Sequence, residues 1–214
     1  PTLVRCLQCV RKTNLVHSKN IISKASLLAG MCGKRKKLKR KLTRKLAEKM
    51  FVGTWNVRTL LDEQDGVRSE RAQRRSALIA KELKALRMDV VALTEVRKLG
   101  SGQLIEEMGG YTIFWKGKDE GVRIHGVGFA ARSKLADRMV TQPIGVNERL
   151  MHFRYKSEYG KHVTFVCGYA PTMMAPEHDK VAFYDGLQSI IDAIDKDDVI
   201  MLMGDFNARV GADF

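Results

Sequence analysis

The stretch that decides the fold is residues 199–209, which reads Val-Ile-Met-Leu-Met-Gly-Asp-Phe-Asn-Ala-Arg. Its five leading apolar residues are the right length for a buried strand and too few for a helix. Gly204 allows the backbone to turn or a ligand to approach closely. Asp205 and Asn207 lie two residues apart, so on an extended chain they point the same way, and such a pair suits an activated water and an anionic oxygen. A strand followed by an Asx turn is the alternative for this stretch alone.

Apolar runs of strand length alternate with two segments of helical periodicity along the rest of the chain. The helical segments are 70–87 and 177–194. The other predicted strands are 51–57, 89–94, 111–115, 124–131, 149–155 and 162–169. Strand, helix and strand in succession over 51–94 indicate a βαβ-like unit, so the predicted fold class is α/β.

The formal charge of +14 divides the chain into two parts. Residues 1–50 hold 15 Lys or Arg and one acidic residue, whereas residues 51–214 hold 23 basic and 23 acidic residues. We therefore expect a basic arm at 1–49, disordered or loosely helical, and a globular domain at 50–214. A polycationic arm favours polyanions such as nucleic acid through counterion release.

The basic residues of the arm concentrate in residues 34–46. This run predicts a nucleic-acid contact or a nuclear-import signal, with a solvated basic arm as the alternative. The predicted nucleic-acid-binding residues are Lys34, Arg35, Lys36, Lys37, Lys39, Arg40, Lys41, Arg44 and Lys45. From this run we expect a DNA-associated protein of the nucleus.

Composition argues against several other classes of protein. Four cysteines in 214 residues do not make a disulfide framework, which favours a reducing, intracellular compartment. Cys6-x-x-Cys9 lacks a second pair at the spacing of a zinc site. No apolar run approaches the ~20 residues of a membrane span, so we expect no membrane partner. The scattered basic residues of 1–30 do not fit a signal peptide.

Polar residues follow several predicted strands at the points where the strands end. They are Asn56, Glu95, Tyr169, and Asp205 with Asn207. Loops at strand ends are where functional sites gather in α/β proteins. We therefore treat these five positions as one candidate site.

Glu95 is the strongest candidate for a metal ligand, because it follows an apolar run in which a lone carboxylate needs a partner. A divalent cation is one such partner, and Mg²⁺ needs only one or two carboxylates, so Glu95 with Asn56 beside it is enough. An ion pair with Arg97 or Lys98 is the alternative. For Tyr169 the alternative is core packing with a satisfied hydroxyl.

Five short segments resemble, in order, the endonuclease/exonuclease/phosphatase family. They are Gly-Thr-Trp-Asn-Val-Arg-Thr-Leu at 53–60, Ala-Leu-Thr-Glu-Val-Arg at 92–97, His-Gly-Val-Gly-Phe at 125–129, Gly-Tyr-Ala-Pro-Thr at 168–172 and Gly-Asp-Phe-Asn-Ala-Arg at 204–209. Segments 54–60 and 96–102 look most like the endonucleases of LINE-type retrotransposons. The resemblance covers residues 51–214 and says nothing about residues 1–50.

The resemblance implies a four-layer α/β sandwich with two central sheets and a Mg²⁺-dependent phosphodiester hydrolase that acts on DNA as an endonuclease. Glu95 and Asn56 would hold the Mg²⁺, or Mn²⁺ in its place. Tyr169 would position the scissile phosphate. Asp205 would orient or deprotonate the attacking water, and Asn207 would donate a hydrogen bond to a phosphate oxygen.

Two departures from the family pattern shape these expectations. Thr94 stands where the family has Gln before the metal-binding Glu, a change beside the site. The family's terminal Asp-His pair cannot be placed in this sequence. We therefore expect an incomplete domain with one sheet, its helices and the first strand region beyond, and an impaired or inactive nuclease. His125 lies in a matching segment but has no assigned role.

Two other functions stay open at this point. In the first, the chain is a non-catalytic nucleic-acid-binding protein, in which the basic arm makes the contacts and the nuclease domain is vestigial. In the second, it is a phosphatase of the same family that acts on phosphoinositides or other small phosphates. The basic arm favours nucleic acid over the small phosphates.

Overall fold

The computed structural model describes residues 6–8, 50–62, 65–66, 73–158 and 160–207. The nine basic residues predicted to bind nucleic acid lie outside these ranges, as does most of the arm. No helix in the described ranges is both long enough and apolar enough to cross a membrane.

The strands of the described residues form two sheets. The larger sheet has the order β1 (Cys6–Gln8), β2 (Val52–Asn56), β3 (Val90–Thr94), β6 (Val127–Arg132), β5 (Tyr111–Lys116) and β4 (Ser101–Glu106). The smaller sheet has the order β10 (Val199–Asp205), β9 (His162–Tyr169), β8 (Leu150–Lys156) and β7 (Ile144–Asn147). A 3₁₀ helix, Ser133–Arg138, follows β6.

Parallel pairing brings the ends of the important strands together. In the larger sheet β1, β2 and β3 are parallel, and in the smaller sheet β9 and β10 are parallel. Helix α1 (Arg75–Ala85) connects β2 to β3, and α2 (Glu177–Ala193) connects β9 to β10. Such crossovers are what parallel neighbours require. The predicted βαβ-like unit is present, and its two strands end at the same edge.

Two helices and two sheets stack in four layers. Ile79 and Leu83 of α1 pack on the outer face of the larger sheet. Leu187 of α2 packs on the outer face of the smaller sheet. The inner faces of the two sheets meet in a third apolar cluster that contains Phe129 and Phe153. The predicted four-layer α/β sandwich is therefore confirmed.

The core between the sheets is aromatic. Phe153 of the smaller sheet meets the edge of Phe129 from the larger sheet, with ring centroids 4.8 Å apart, and stacks on Phe165 at 4.9 Å. Such ring pairs add to the stabilisation that burial alone provides. The expectation that the chain supplies only one sheet is wrong, because β7 to β10 form the second sheet and cover the inner face of the first.

Three strands have no counterpart in the sequence-based prediction. β4 lies at one edge of the larger sheet and β7 at one edge of the smaller sheet, and both alternate between exposed and partly buried residues. β1 pairs with β2 at the other edge of the larger sheet, within an arm that we expected to be disordered or loosely helical. Edge strands have only one neighbour and need no continuous apolar run, so their sequences resemble loops.

Candidate active site

The residues of the predicted site come together at one end of the sandwich, where four strands finish. Asn56 ends β2, Glu95 follows β3, Tyr169 ends β9 and Asp205 ends β10. The Asn56 amide Nδ2 donates to Glu95 Oε1 at 2.7 Å and to Asp205 Oδ2 at 3.3 Å. The Tyr169 hydroxyl donates to Glu95 Oε1 at 3.4 Å. These bonds connect the larger sheet to the smaller sheet.

Asn207 completes the cluster through its backbone and its side chain. Its backbone N–H donates to Asp205 Oδ1 at 3.1 Å, which is the hydrogen bond of an Asx turn. Its side-chain Nδ2 donates to the carbonyl oxygen of Ala170 at 2.7 Å. The strand followed by an Asx turn, which was the alternative interpretation of residues 199–209, is therefore present, and the turn fixes the Asp205 carboxylate.

Gly204 allows a close approach, but of a neighbouring strand. A Cβ built on Gly204 would lie 1.8 Å from the carbonyl oxygen of Gly168 in β9, and the φ angle of Gly204 is +135°. Its N–H donates to Thr54 Oγ1 in the larger sheet at 3.1 Å. Any side chain here would displace the end of β10 and with it Asp205. Thr54, a hydroxyl within an apolar strand, was missed by the sequence analysis.

Left-handed backbone is concentrated at this end of the molecule. The residues other than glycine with positive φ in the loops around the site are Arg58 (61°), Glu95 (57°), Arg97 (58°), His125 (63°) and Asn207 (45°). Arg87, at the end of α1, has the same feature away from the site. Such conformations each cost on the order of 1 kcal/mol or more and cluster at functional sites.

The Glu95 carboxylate is held in its charged form. Burial raises its pKa, but hydrogen bonds from Asn56 and Arg97 and the charge of Arg97 outweigh that effect, so the pKa lies below its ordinary value. Arg97 Nη2 is 2.9 Å from Glu95 Oε2. The alternative partner, Lys98, pairs instead with Asp65 at 2.8 Å. The predicted ion pair with Arg97 therefore exists, and it leaves Oε1 to Asn56 and Tyr169.

The oxygen atoms at this end are ligands that suit a hydrated Mg²⁺ better than a structural Zn²⁺. Two carboxylates, Glu95 and Asp205, flank the Asn56 amide, and Mg²⁺ typically takes one or two carboxylates with water and phosphate. No group of three or more His, Cys, Asp or Glu side chains that could hold a metal occurs in the described part of the chain.

Asn56 is oriented here as a donor. Its nitrogen faces both carboxylates, while its Oδ1 accepts the N–H of Arg58 at 3.1 Å. A ligand role for Asn56 requires a half-turn of the amide, which exchanges the positions of nitrogen and oxygen.

Tyr169 is a protonated donor in this setting. Burial raises its pKa, and the negative charges of Glu95 and Asp205 raise it further. Its hydroxyl can therefore donate to a phosphate oxygen as well as to a carboxylate. Two residues that received no role in the sequence analysis, His125 and Arg149, contact the Tyr169 ring.

A family model described as the endonuclease/exonuclease/phosphatase family matches residues 53–213. The chain belongs to this family, as the five short segments predicted. The match begins at β2 and includes every residue of the candidate site.

Two curated relatives carry the name craniofacial development protein 2. The one from Bos taurus is 26% identical over 167 residues, which are 77% of this chain and 25% of the relative. The one from Tragulus javanicus is 26% identical over 167 residues, which are 77% of this chain and 26% of the relative. The chain thus spans about a quarter of the length of these curated relatives.

Solved structures with a similar fold include D. rerio TDP2 humanized by 14 mutations, with a TM-score of 0.49 and 18% identity over 75% of this chain and 67% of that chain. The catalytic domain of Xenopus laevis APE2 matches with a TM-score of 0.48 and 16% identity over 73% of this chain and 58% of that chain.

Proposed function

We propose that the chain is a Mg²⁺-dependent phosphodiester hydrolase of LINE-retrotransposon origin that acts on DNA as an endonuclease in the nucleus. The observation that carries this proposal is the meeting of Asn56, Glu95, Tyr169 and Asp205 from two sheets in one hydrogen-bonded cluster. Membership of the family supports the reaction class. The segments at 54–60 and 96–102 support the LINE origin.

In this proposal Asp205 orients the attacking water and accepts its proton. The Asn56 amide and the N–H of Asn207 fix the Asp205 carboxylate without neutralising its charge, because both are neutral donors. The Tyr169 hydroxyl and the Asn207 amide donate to phosphate oxygens. Glu95 would hold Mg²⁺, and Asn56 would join it after its amide turns. That turn would end the Asn56 bond to Asp205 and leave the N–H of Asn207 to fix the carboxylate. When bound, this ion neutralises charge that develops on the phosphate oxygens.

We expect the residues that the structure describes to hydrolyse a phosphodiester slowly. Within these residues, no histidine hydrogen-bonds to Asp205, whose carboxylate contacts Asn56 and Asn207. A base that lacks a polarising partner transfers a proton less efficiently, and groups that act as a unit lose most of their effect when one is absent.

The substrate we favour is DNA because of the basic run at 34–46. Nine basic residues in that run suit a continuous phosphate backbone better than a single small phosphate. The same observation favours the second candidate function, a non-catalytic nucleic-acid-binding protein. The two candidates differ in whether bound DNA is cut.

A plasmid-nicking assay separates the two candidates. Supercoiled plasmid is incubated with the chain and Mg²⁺, and the relaxed form is quantified over time. We expect slow, Mg²⁺-dependent nicking that is lost in Asp205→Asn and in Glu95→Gln. Asp197→Asn, an exposed carboxylate before β10, is the matched control and should nick like the wild type.

Two outcomes would contradict the proposal. Nicking that persists unchanged in Asp205→Asn would come from a contaminating nuclease or from another site. DNA binding without any nicking, by a folded wild-type chain, would favour the non-catalytic candidate.

A further inference from the structure

Arg149 holds Tyr169 by both its backbone and its side chain. It lies in the turn between β7 and β8, and its carbonyl oxygen accepts the N–H of Tyr169 at 2.8 Å. Its guanidinium Nη1 donates back to the Tyr169 carbonyl oxygen at 3.1 Å. The guanidinium carbon Cζ lies over the Tyr169 ring, 5.5 Å from the centroid. A planar cation over an aromatic face is a favourable arrangement that a lysine does not reproduce.

His125 is the second partner of the Arg149 guanidinium. Its Nε2 lies 3.1 Å from Arg149 Nη2. A guanidinium has only donors, so Nε2 must accept, and the imidazole is neutral with its proton on Nδ1. Burial lowers the pKa of His125, and the charge of Arg149 lowers it further, which agrees with this assignment. The His125 ring also contacts the Tyr169 ring, with centroids 5.7 Å apart.

The backbone around His125 anchors this group to the loop after Glu95. The His125 carbonyl oxygen accepts the N–H of Arg97 at 2.8 Å, and the Gly126 carbonyl oxygen accepts the N–H of Val96 at 3.1 Å. On the other side, the N–H of Gly126 donates to the carbonyl oxygen of Glu148 at 3.0 Å. Residues 125–126 therefore join the Glu95 loop of the larger sheet to the β7–β8 turn of the smaller sheet.

These contacts form a closed path around the candidate site. The path runs from the Glu95 loop through His125 and Arg149 to Tyr169, whose hydroxyl returns to Glu95. A turn between two strands does not by itself need an arginine, and each side-chain hydrogen bond of Arg149 given above goes to Tyr169 or His125. We propose that Arg149, with His125 as its acceptor, is a positioning residue that fixes the Tyr169 hydroxyl at the candidate active site. The functional part of this inference rests on the proposed phosphodiester hydrolysis.

The first test is independent of activity. The ring signals of Tyr169 are recorded by NMR in tyrosine-labelled protein and assigned by their loss in Tyr169→Phe. They are then compared in Arg149→Met, in Arg149→Lys and in Lys118→Met, which removes the same charge near His125 without contacting Tyr169. We expect the Tyr169 signals to shift and broaden in both Arg149 variants and to stay unchanged in Lys118→Met. Unchanged Tyr169 signals in a folded Arg149→Met would overturn the inference.

A second variant covers the case in which Arg149→Met does not fold. His125→Phe keeps a ring beside Tyr169 but removes the acceptor for the guanidinium. We expect a smaller shift of the same Tyr169 signals in His125→Phe. No shift in that variant would show that His125 does not orient Arg149, and the proposed chain of contacts would be wrong.

The second test uses the hydrolysis rate in Mg²⁺. If Arg149 acts through the phenol, Arg149→Met should lower kcat roughly 10- to 100-fold with little change in KM, as expected for misplacement of a positioned group. Arg149→Lys should not rescue the rate. Tyr169→Phe should show a similar loss, and the double variant should lose no more than either single variant.

The two proposals fail in different ways. Losses that multiply in the double variant would overturn the positioning role while leaving hydrolysis intact. A folded wild-type chain without hydrolysis would instead contradict the proposed function, and the NMR comparison would still decide whether Arg149 positions Tyr169.

Discussion

The two ends of strand β10 carry aspartates in opposite electrostatic settings. Asp198, just before the strand, accepts two hydrogen bonds from Arg154, both at 2.7 Å, and one from Thr164 at 2.8 Å, and its side chain is 2% exposed. Asp205, at the other end, accepts from the Asn56 amide and from a backbone N–H. One carboxylate is neutralised by a cation, whereas the other, among the described residues, accepts hydrogen bonds from neutral groups.

This difference separates a structural carboxylate, Asp198, from the carboxylate of the candidate active site, Asp205. A bidentate arginine satisfies both oxygens of Asp198, so that pair ties β9, β8 and β10 together and has no charge to offer a ligand. Neutral donors orient Asp205 and leave its negative charge in place. Of the six described residues other than glycine with positive φ, five lie in the loops around the Asp205 end, and the sixth, Arg87, lies at the end of α1. We infer that the Asp198 end of the sandwich contributes to stability, whereas the Asp205 end carries the proposed chemistry.

The largest expected effect is on hydrolysis at the Asp205 end. Asp205→Asn keeps the size of the side chain but removes the charge that accepts a proton. We expect the nicking rate to fall by roughly 100-fold or more, the range typical of a lost acid or base. The unfolding midpoint should change little. A rate within a few-fold of wild type would remove Asp205 from the proposed mechanism.

The next effect concerns the basic arm, whose charge contrasts with the neutral domain. Replacing the nine basic residues of 34–45 with Gln should weaken DNA binding by tenfold or more at low salt and reduce the slope of log K against log salt, because fewer counterions are released. Binding is measured by fluorescence anisotropy at several salt concentrations. Replacing the exposed Lys81, Lys156 and Lys196 with Gln is the control, and an equal loss there would assign the DNA contact to the domain.

A smaller effect is expected on stability at the Asp198 end. Asp198→Asn removes the charge that Arg154 pairs with. It also weakens the hydrogen bonds that Arg154 and Thr164 donate to this buried side chain. We expect a loss of about 1.5–3 kcal/mol in the free energy of unfolding, the range for hydrogen bonds to charged groups. Urea unfolding measures this loss. The same variant should nick plasmid at the wild-type rate. A large loss of nicking would show that the Asp198 end also contributes to the reaction.

The smallest effect is the pH dependence of that stability. The hydrogen bond from Arg154 lowers the pKa of Asp198 from its ordinary 3.8, and burial only partly offsets this. A carboxylate with a lowered pKa contributes stability that is fully present above its unfolded pKa and is lost as pH falls through the folded pKa. The difference in unfolding midpoint between wild type and Asp198→Asn should therefore be constant near pH 6 and shrink below about pH 4. A difference in midpoint that grows below about pH 4 would show that folding raises the pKa of Asp198 rather than lowering it.

The sequence indicated which side chains meet at the candidate site better than it indicated the sheets that carry them. Glu95 and Asp205 follow apolar runs, and a carboxylate at the end of a buried strand can be identified from the sequence alone. The edge strands β4 and β7 were missed because their apolar content is low. Which sheet each strand joins was missed as well, because pairing depends on contacts far apart in the chain.

The supporting residues were harder to find for the same reason. Thr54 and Arg149 act on partners more than 15 positions away, and nothing in their local sequence marks them. Gly204 was identified as a point of close approach, but only the structure shows that Gly168 of the neighbouring strand approaches it. Local patterns therefore indicated which side chains meet at the candidate site, and the fold was needed to show what positions them.

The most direct test of the account is whether Glu95 holds a divalent cation. Binding of Mg²⁺ is measured by calorimetry, and binding of Mn²⁺ by electron paramagnetic resonance, for wild type, Glu95→Gln and Asp198→Asn. We predict that Glu95→Gln weakens binding by about tenfold or more, the effect of losing a carboxylate ligand, while Asp198→Asn binds as wild type does. Wild-type affinity in a folded Glu95→Gln would show that Glu95 serves only its ion pair with Arg97, and the proposed metal-dependent site would be wrong.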